Sequence, residues 1–198
     1  DQPPAWQPGR RRLLAASVAL AAASQPSWVF AQKAKQSAAF AGLLKRGACA
    51  VLIRHAQTEP GTGDPPGFRL DQCSSQRQLS LAGQREAARI GRWFESRKLV
   101  PSEVLSSQWC RCKDTADLAF GRHTPWPALN STFGNSSLQP AQTRELRERL
   151  GQIAAGQFEV WVTHQVNMTH LTDEYPAMGE AFVVHASERA LLLALLLP

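Results

Sequence analysis

The 198-residue sequence predicts an α/β fold, a three-layer α/β/α sandwich with a mostly parallel central sheet. Three observations carry that expectation. Short runs such as Cys49–Ile53 and Phe158–Thr163 are apolar nearly throughout, as expected of strands covered on both faces. Segments with apolar residues at helical spacing lie between them. The alternation of the two, with no repeat or linker dividing residues 32–198, predicts one domain with helices on both faces of the sheet.

In chain order, a short helical segment over residues 37–45 precedes the strand Cys49–Ile53. Residues 57–75, rich in Pro and Gly, read as a long loop. Residues 81–99 form an amphipathic helix with Ala87, Ile90, Trp93 and Phe94 on one face and Ser80 as N-cap. A short strand at Val104–Ser106 leads to a helix over Arg111–Phe120, stopped by Gly121. Residues 124–140 read as loop, 142–155 as helix, Phe158–Thr163 as strand and Asn167–Thr172 as a short helix. Two apolar stretches, 181–185 and 191–197, close the chain.

The N-terminus reads as an export signal. Arg10–Arg12, the apolar run Leu13–Ala23 and Val29-Phe30-Ala31 before Gln32 reproduce the basic, apolar and small-residue regions of a secretory signal peptide. Arg11-Arg12-Leu13-Leu14 also resembles a twin-arginine signal, and ordinary Sec export is the alternative. Residues 1–31 are therefore expected to be a leader, with residues 32–198 the working domain of an exported, periplasmic bacterial protein. The leader's apolar part and the terminal run Ala190–Pro198 are both too short for a stable membrane span.

The formal net charge is +6; three arginines and one aspartate lie in residues 1–31, which leaves +4. The remaining basic residues are scattered without an aromatic-interleaved stripe, so no nucleic-acid partner is expected. In an exporting compartment the four cysteines, Cys49, Cys73, Cys110 and Cys112, are free to form disulfides. Cys110 and Cys112 are too close in sequence to pair well. The expected bridge runs from Cys73 to one of them. No zinc-binding spacing accompanies them, and no metal or cofactor is expected.

Ligands of open α/β sheets sit beyond the carboxyl ends of the strands. The first strand delivers Arg54 and His55 there, the second leads to Arg111, and Phe158–Thr163 delivers His164. Two guanidiniums can grip a phosphoryl group in a forked geometry that lysine cannot reproduce. A neutral imidazole between them can attack phosphorus and form a covalent intermediate. The second imidazole can steady charge on the transferring group.

Leu52-Ile53-Arg54-His55-Ala56-Gln57-Thr58 resembles the RHG signature of the histidine phosphatase superfamily, the phosphoglycerate-mutase-like proteins, with Ala in place of Gly. Leu79-Ser80-Leu81-Ala82-Gly83 with Ala87 resembles that family's L-S/T-x-x-G-x-x-x-A element. Leu105-Ser106-Ser107 with Arg111 and Thr115-Ala116 resembles its S-S-x-x-x-R-x-x-x-T-A element, and Val162-Thr163-His164 its second-histidine strand. The resemblance spans about residues 49–185, and around Cys73 and Trp109-Cys110-Arg111 it is similar to exported Ais-like proteins that modify lipopolysaccharide. It implies a phosphoglycerate-mutase-like fold, His55 as the phosphorylated nucleophile, and Arg54, Arg111 and His164 as the rest of the phosphate pocket.

The pattern departs from the family at the proton donor. Where one branch carries L-N-E, this chain has Leu129-Asn130-Ser131; where another has Asp after the second histidine, it has Gln165. Glu59 is the candidate substitute, with Asp64 and Asp71 behind it. Thr58, Ser131 and Gln165 are the expected substrate contacts; His123 is read as exposed and His170 as packing, while His185, at the end of a late strand, is left open as a residue that could line the pocket. Two functions follow. One is a metal-independent phosphatase acting through phosphohistidine on a phosphorylated small molecule or envelope glycolipid. The other is a weak or inactive relative that binds a phosphorylated ligand.

Overall fold

Strand β1 (Cys49–Arg54) lies near the middle of a six-stranded sheet of order β3-β2-β4-β1-β5-β6. The computed structural model describes residues 27–61, 63–185 and 191–196. The other strands are β2 (Glu103–Ser106), β3 (Thr124–Pro125), β4 (Phe158–Thr163), β5 (Glu180–His185) and β6 (Leu191–Leu196). The helices are α1 (Ser27–Arg46), α2 (Leu81–Glu95), α3 (Cys110–Phe120), α4 (Gln139–Leu150) and α5 (Gln165–Thr172). β1, β2, β3 and β4 pair in parallel, β5 runs antiparallel to β1, and β6 runs antiparallel to β5. This is the mixed α/β sandwich that the sequence predicts.

Strand alternation splits the core in two, because successive side chains point to opposite faces. Val51, Ile53, Val160 and Val162 pack with Phe40 and Leu44 of α1, Ile90 and Phe94 of α2, and Ala116 of α3. Ala50, Leu52, Leu105 and Trp161 pack on the other face with Leu146 and Leu150 of α4 and Met168 and Leu171 of α5. The buried runs that look featureless in sequence thus feed both cores.

Several boundaries differ from the sequence reading, each for a local reason. α2 ends at Glu95 because the chain reverses there: Lys98 adopts a left-handed backbone and the Leu99 amide donates to the Phe94 carbonyl at 3.0 Å. α3 stops where expected, at Gly121, whose φ of 68° lets its amide close on Asp117. α4 starts earlier, at Gln139 with Pro140 in its first turn, and ends at Leu150. α1 begins at Ser27, so the expected leader junction between Ala31 and Gln32 falls inside a helix. Residues 1–26, which carry the basic and apolar regions of that leader, lie outside the described residues. No helix among the described residues is long and apolar enough to cross a membrane.

Candidate active site

The parallel register builds the site. Arg54 pairs with Thr163 across β1 and β4, so the next residues, His55 and His164, emerge side by side at the same sheet edge, ring centroids 5.5 Å apart. β2 ends beside them in register, bringing Ser107 and then the start of α3. α3 is tied to this edge by Thr115, one turn past Arg111. Its hydroxyl accepts from the Ala56 amide at 3.0 Å and donates to the Arg111 carbonyl at 2.6 Å.

His55 is 3% exposed, and its Nδ1 lies 3.0 Å from the carbonyl oxygen of Ala56. A carbonyl only accepts, so Nδ1 carries the proton and Nε2 the lone pair. Burial holds the ring's pKa down to about 3; Arg111, Arg54 and Arg77 push the same way, against the hydrogen bond to Ala56. His55 is therefore neutral, with Nε2 nucleophilic, throughout the physiological range.

His164 is 4% exposed and engaged at both nitrogens. Nδ1 faces an Arg111 Nη at 3.5 Å, and Nε2 lies 2.8 Å from the Ser107 hydroxyl. A guanidinium only donates, so Nδ1 accepts and Nε2–H donates to Ser107, whose hydroxyl in turn donates to Asn130 Oδ1 at 3.2 Å. The chain Arg111–His164–Ser107–Asn130 fixes the ring, while burial first and the arginines next keep its pKa well below the ordinary value.

Two further side chains complete it: Arg77, which the sequence reading missed, and Asp64, which it offered only as a weaker candidate for the proton donor. Residues 57–59 run antiparallel to 78–80, with a bridge between Thr58 and Leu79 and the Glu59 amide bonded to the Gln78 carbonyl. That pairing brings Arg77 to the cavity, its guanidinium anchored on the Gly61 carbonyl. Asp64, a weaker candidate in the sequence, accepts from Arg111 at 2.7 Å, Trp109 Nε1 at 2.9 Å and the Arg77 amide at 3.0 Å. Burial pushes its carboxyl up, but those hydrogen bonds and the Arg111 charge outweigh it and hold the pKa below the ordinary carboxylate value.

A cavity of about 470 Å³ opens above these groups, within the range of small-molecule sites. Arg54, His55, Arg111 and His164 line it, as do Ser131 and Gln165. Glu59 does not: it is exposed and outside the lining, because the Thr58–Leu79 bridge holds that part of the loop against residues 78–79. Thr58 is buried with its hydroxyl on Met178 sulfur at 3.8 Å, and it too lies outside the lining. Asp71 is on the surface, paired with Arg69. Of the remaining histidines, His123 pairs with Asp117 and His170 borders a separate surface depression on α4. Arg77 follows the Pro/Gly-rich loop and lies two residues before the Leu79-Ser80 element; that position was the available signal for it.

The Cys73–Cys110 disulfide staples the long loop to the first residue of α3, one residue from Arg111. Gln76 reinforces the joint, accepting from the Cys110 amide and donating to the Arg69 and Leu70 carbonyls. Cys49 and Cys112 are free and buried, and burial pushes the Cys112 thiol up to about 12. Among the described residues no group of three or more His, Cys, Asp or Glu side chains is placed to hold a metal ion.

No protein-family model and no curated protein matches the chain. Among solved structures, a proposed alpha-ribazole-5'-P phosphatase from Escherichia coli K-12 is 14% identical over 76% of this chain and 96% of its own, with a TM-score of 0.54. A proposed phosphohistidine phosphatase SixA from Agrobacterium tumefaciens is 21% identical over 75% of this chain and 97% of its own, at a TM-score of 0.47. The protein histidine phosphatase SixA complexed with tungstate is 16% identical, covering 74% and 96%, at 0.49. The fold is that of the phosphoglycerate-mutase-like histidine phosphatases.

Proposed function

We propose that this protein is an exported phosphatase that hydrolyses a phosphomonoester through a phosphohistidine on His55. One observation carries the reading. Three buried guanidinium Nε–H groups, on Arg54, Arg77 and Arg111, have no hydrogen-bond partner among the described residues, and all three side chains line the cavity that contains His55. Buried donors are rarely left unpaired, because each costs about 1–3 kcal/mol of lost solvation. A tetrahedral oxyanion supplies enough acceptors for all of them. With Asp64 ionised and both histidines neutral, the three arginines leave the site at +2, the complement of a phosphate dianion.

The chemistry follows from the His55 tautomer. Nε2 attacks phosphorus, the ester P–O bond breaks, and Nδ1–H stays on the Ala56 carbonyl, which steadies the cation formed on phosphorylation. Arg54, Arg77 and Arg111 balance the oxygens as charge shifts, and His164 keeps Arg111 in place. Water then cleaves the N–P bond. The phosphate is carried by a small molecule or by an envelope glycolipid. The Cys73–Cys110 disulfide is consistent with export, since such bridges persist outside the reducing cytosol.

The test is hydrolysis of para-nitrophenyl phosphate by the purified protein and by His55→Ala, with an alkaline denaturing quench to trap phosphohistidine. Turnover lost in the variant, vanadate inhibition and a trapped acid-labile phosphoprotein are expected. Turnover that persists in His55→Ala would refute the nucleophile. Vanadate binding without turnover by the wild type would instead identify a receptor for phosphorylated ligands.

A further inference from the structure

We propose that the natural substrate is an aryl phosphate: a phosphate ester whose leaving oxygen sits on a planar aromatic ring. The inference rests on the phosphatase reading and concerns the other half of the substrate. Two independent features of the cavity agree on it, one chemical and one steric.

The chemical feature is the absence of a usable acid. Among the described residues lining the cavity, Asp64 is the single carboxyl group, and three donors already point at it: Arg111 Nη1, Trp109 Nε1 and the Arg77 amide. A carboxylate that accepts three hydrogen bonds, one from a buried guanidinium, has no proton to give. The imidazoles offer none either, since the one N–H of His55 is spent on Ala56 and that of His164 on Ser107. The leaving oxygen must therefore depart as an anion, which a phenolate does readily and an alkoxide does not. As the Nε2–P bond forms, the P–O(aryl) bond breaks and its electron pair leaves with the phenolate. Water then adds to phosphorus, the N–P pair returns to Nε2, and the water's proton neutralises the phenolate through solvent.

The steric feature is the aromatic part of the lining. Phe68, Trp109 and Phe133 line the cavity together with Met178. Phe68 and Trp109 are in contact at 5.8 Å between centroids, and Trp109 is held in place through Asp64 and against the His164 ring. Phe133 is 67% exposed and Phe68 36%, so both rings present apolar surface at the rim of a charged site. Two uncharged polar side chains stand in the lining, each partly engaged: Ser131 Oγ accepts from the Phe133 amide and Gln165 Nε2 donates to Thr169. A polyol would find few partners there, whereas an aromatic ring would find three faces or edges to pack on.

The experiment compares kcat/KM for phenyl, para-nitrophenyl, cyclohexyl and glucose 6-phosphates on the intact protein. Binding of phenylphosphonate, methylphosphonate and inorganic phosphate is measured by calorimetry in parallel. Aryl esters are expected to exceed alkyl esters by about 10²–10⁴-fold, the usual cost of a missing general acid. Phenylphosphonate is expected to bind at least about tenfold tighter than methylphosphonate. Phe133→Ala and Phe68→Ala should weaken phenylphosphonate about fivefold more than inorganic phosphate. Comparable rates on glucose 6-phosphate and phenyl phosphate would overturn the proposal while leaving the phosphatase reading intact. No turnover of any ester, with the phenylphosphonate preference and its loss in Phe133→Ala retained, would keep the aromatic site and overturn the catalytic reading. Equal binding of the two phosphonates would overturn the aromatic site whatever the rates.

Discussion

Asp64 Oδ1 and Arg111 Nη1 form a 2.7 Å ion pair inside the phosphate cavity, with the two side chains only 6% and 5% exposed. The carboxylate steadies an arginine that phosphate must use, yet it also subtracts one unit from the charge that phosphate meets. Asp64→Asn retains the shape and, with its oxygen at the Oδ1 position, the acceptor for the Arg77 amide, while it removes the charge and sets an NH2 group against Trp109 Nε1–H. Breaking one partner of a buried pair costs about 3–5 kcal/mol, so a lower Tm is expected. Inorganic phosphate should at the same time become a stronger product inhibitor, by roughly tenfold for about 1.4 kcal/mol of relieved repulsion. A variant with unchanged phosphate affinity would show that Asp64 does not oppose the anion.

Arg77 tests whether the site uses three guanidiniums. A charge-assisted hydrogen bond contributes about 1.5–3 kcal/mol, so Arg77→Met should lower kcat/KM on an aryl phosphate by about 10–100-fold. Arg77→Lys should recover only part of this, because a point charge replaces a planar fork. Its anchor on the Gly61 carbonyl is also lost in Met, so thermal unfolding is followed alongside. Full activity in Arg77→Met would remove it from the phosphate site.

These two residues also mark how far the sequence could be read. The strand ends delivering Arg54, His55, Arg111 and His164 were legible because a parallel sheet brings carboxyl ends together whatever the loops do. Arg77 and Asp64 reach the cavity through loop pairing, the Thr58–Leu79 bridge and the Arg77 amide on Asp64, which leave no periodicity in the sequence. The same pairing turned Glu59 outward, although proximity to His55 made it the natural candidate for the acid. The bridge from Cys73 was legible as far as Cys110 or Cys112; the choice was made by α3, which starts at Cys110 and buries Cys112 against His164. Helix boundaries shifted where backbone reversals, such as that at Lys98, outweighed composition.

Both site histidines are buried and neutral, with pKa values depressed from an ordinary value near 6.5, to about 3 for His55. In the unfolded chain they bind protons below about pH 6.5, and in the folded chain they do not. The unfolded state therefore holds more protons, and stability falls as pH drops from about 6.5 toward 3, by about 1.4 kcal/mol per unit for each such histidine. Denaturant midpoints at pH 7.5, 6 and 5 should decline accordingly, with a shallower slope in His55→Asn. A midpoint that stays level or rises on acidification would contradict the buried neutral rings.

The disulfide joins the loop bearing Asp64 and Arg77 to the helix bearing Arg111, across a sequence separation of 37. Reduction, or Cys73→Ser with Cys110→Ser, should cost about 2–4 kcal/mol of stability. It should also raise KM more than it lowers kcat, because the loop half of the phosphate site loosens while His55 and His164 stay on the sheet. In the native protein Cys49 and Cys112 should resist a thiol reagent, since both are buried and burial pushes the Cys49 thiol up to about 11. Rapid labelling of two thiols before reduction would argue against this arrangement.

Gly83 links the start of α2 to the nucleophile. The Ser80 hydroxyl caps the helix by accepting from the Gly83 amide at 3.1 Å, and the Ser80 amide bonds to the Gln57 carbonyl at 3.0 Å. A Cβ at Gly83 would lie 1.8 Å from that same Gln57 oxygen, two residues beyond His55. Only glycine lets the helix approach the backbone of the nucleophile segment so closely. Gly83→Ala should therefore force the two apart, costing about 1–3 kcal/mol or more and lowering kcat as the His55–Ala56 geometry shifts. Gly151→Ala is the control: it has ordinary negative φ at the end of α4, and the nearest atom to its added methyl is 3.4 Å away. That substitution should leave kcat unchanged and Tm level or slightly higher. If the Gly83 and Gly151 variants behave alike in thermal unfolding and turnover, the close approach of α2 does not position His55.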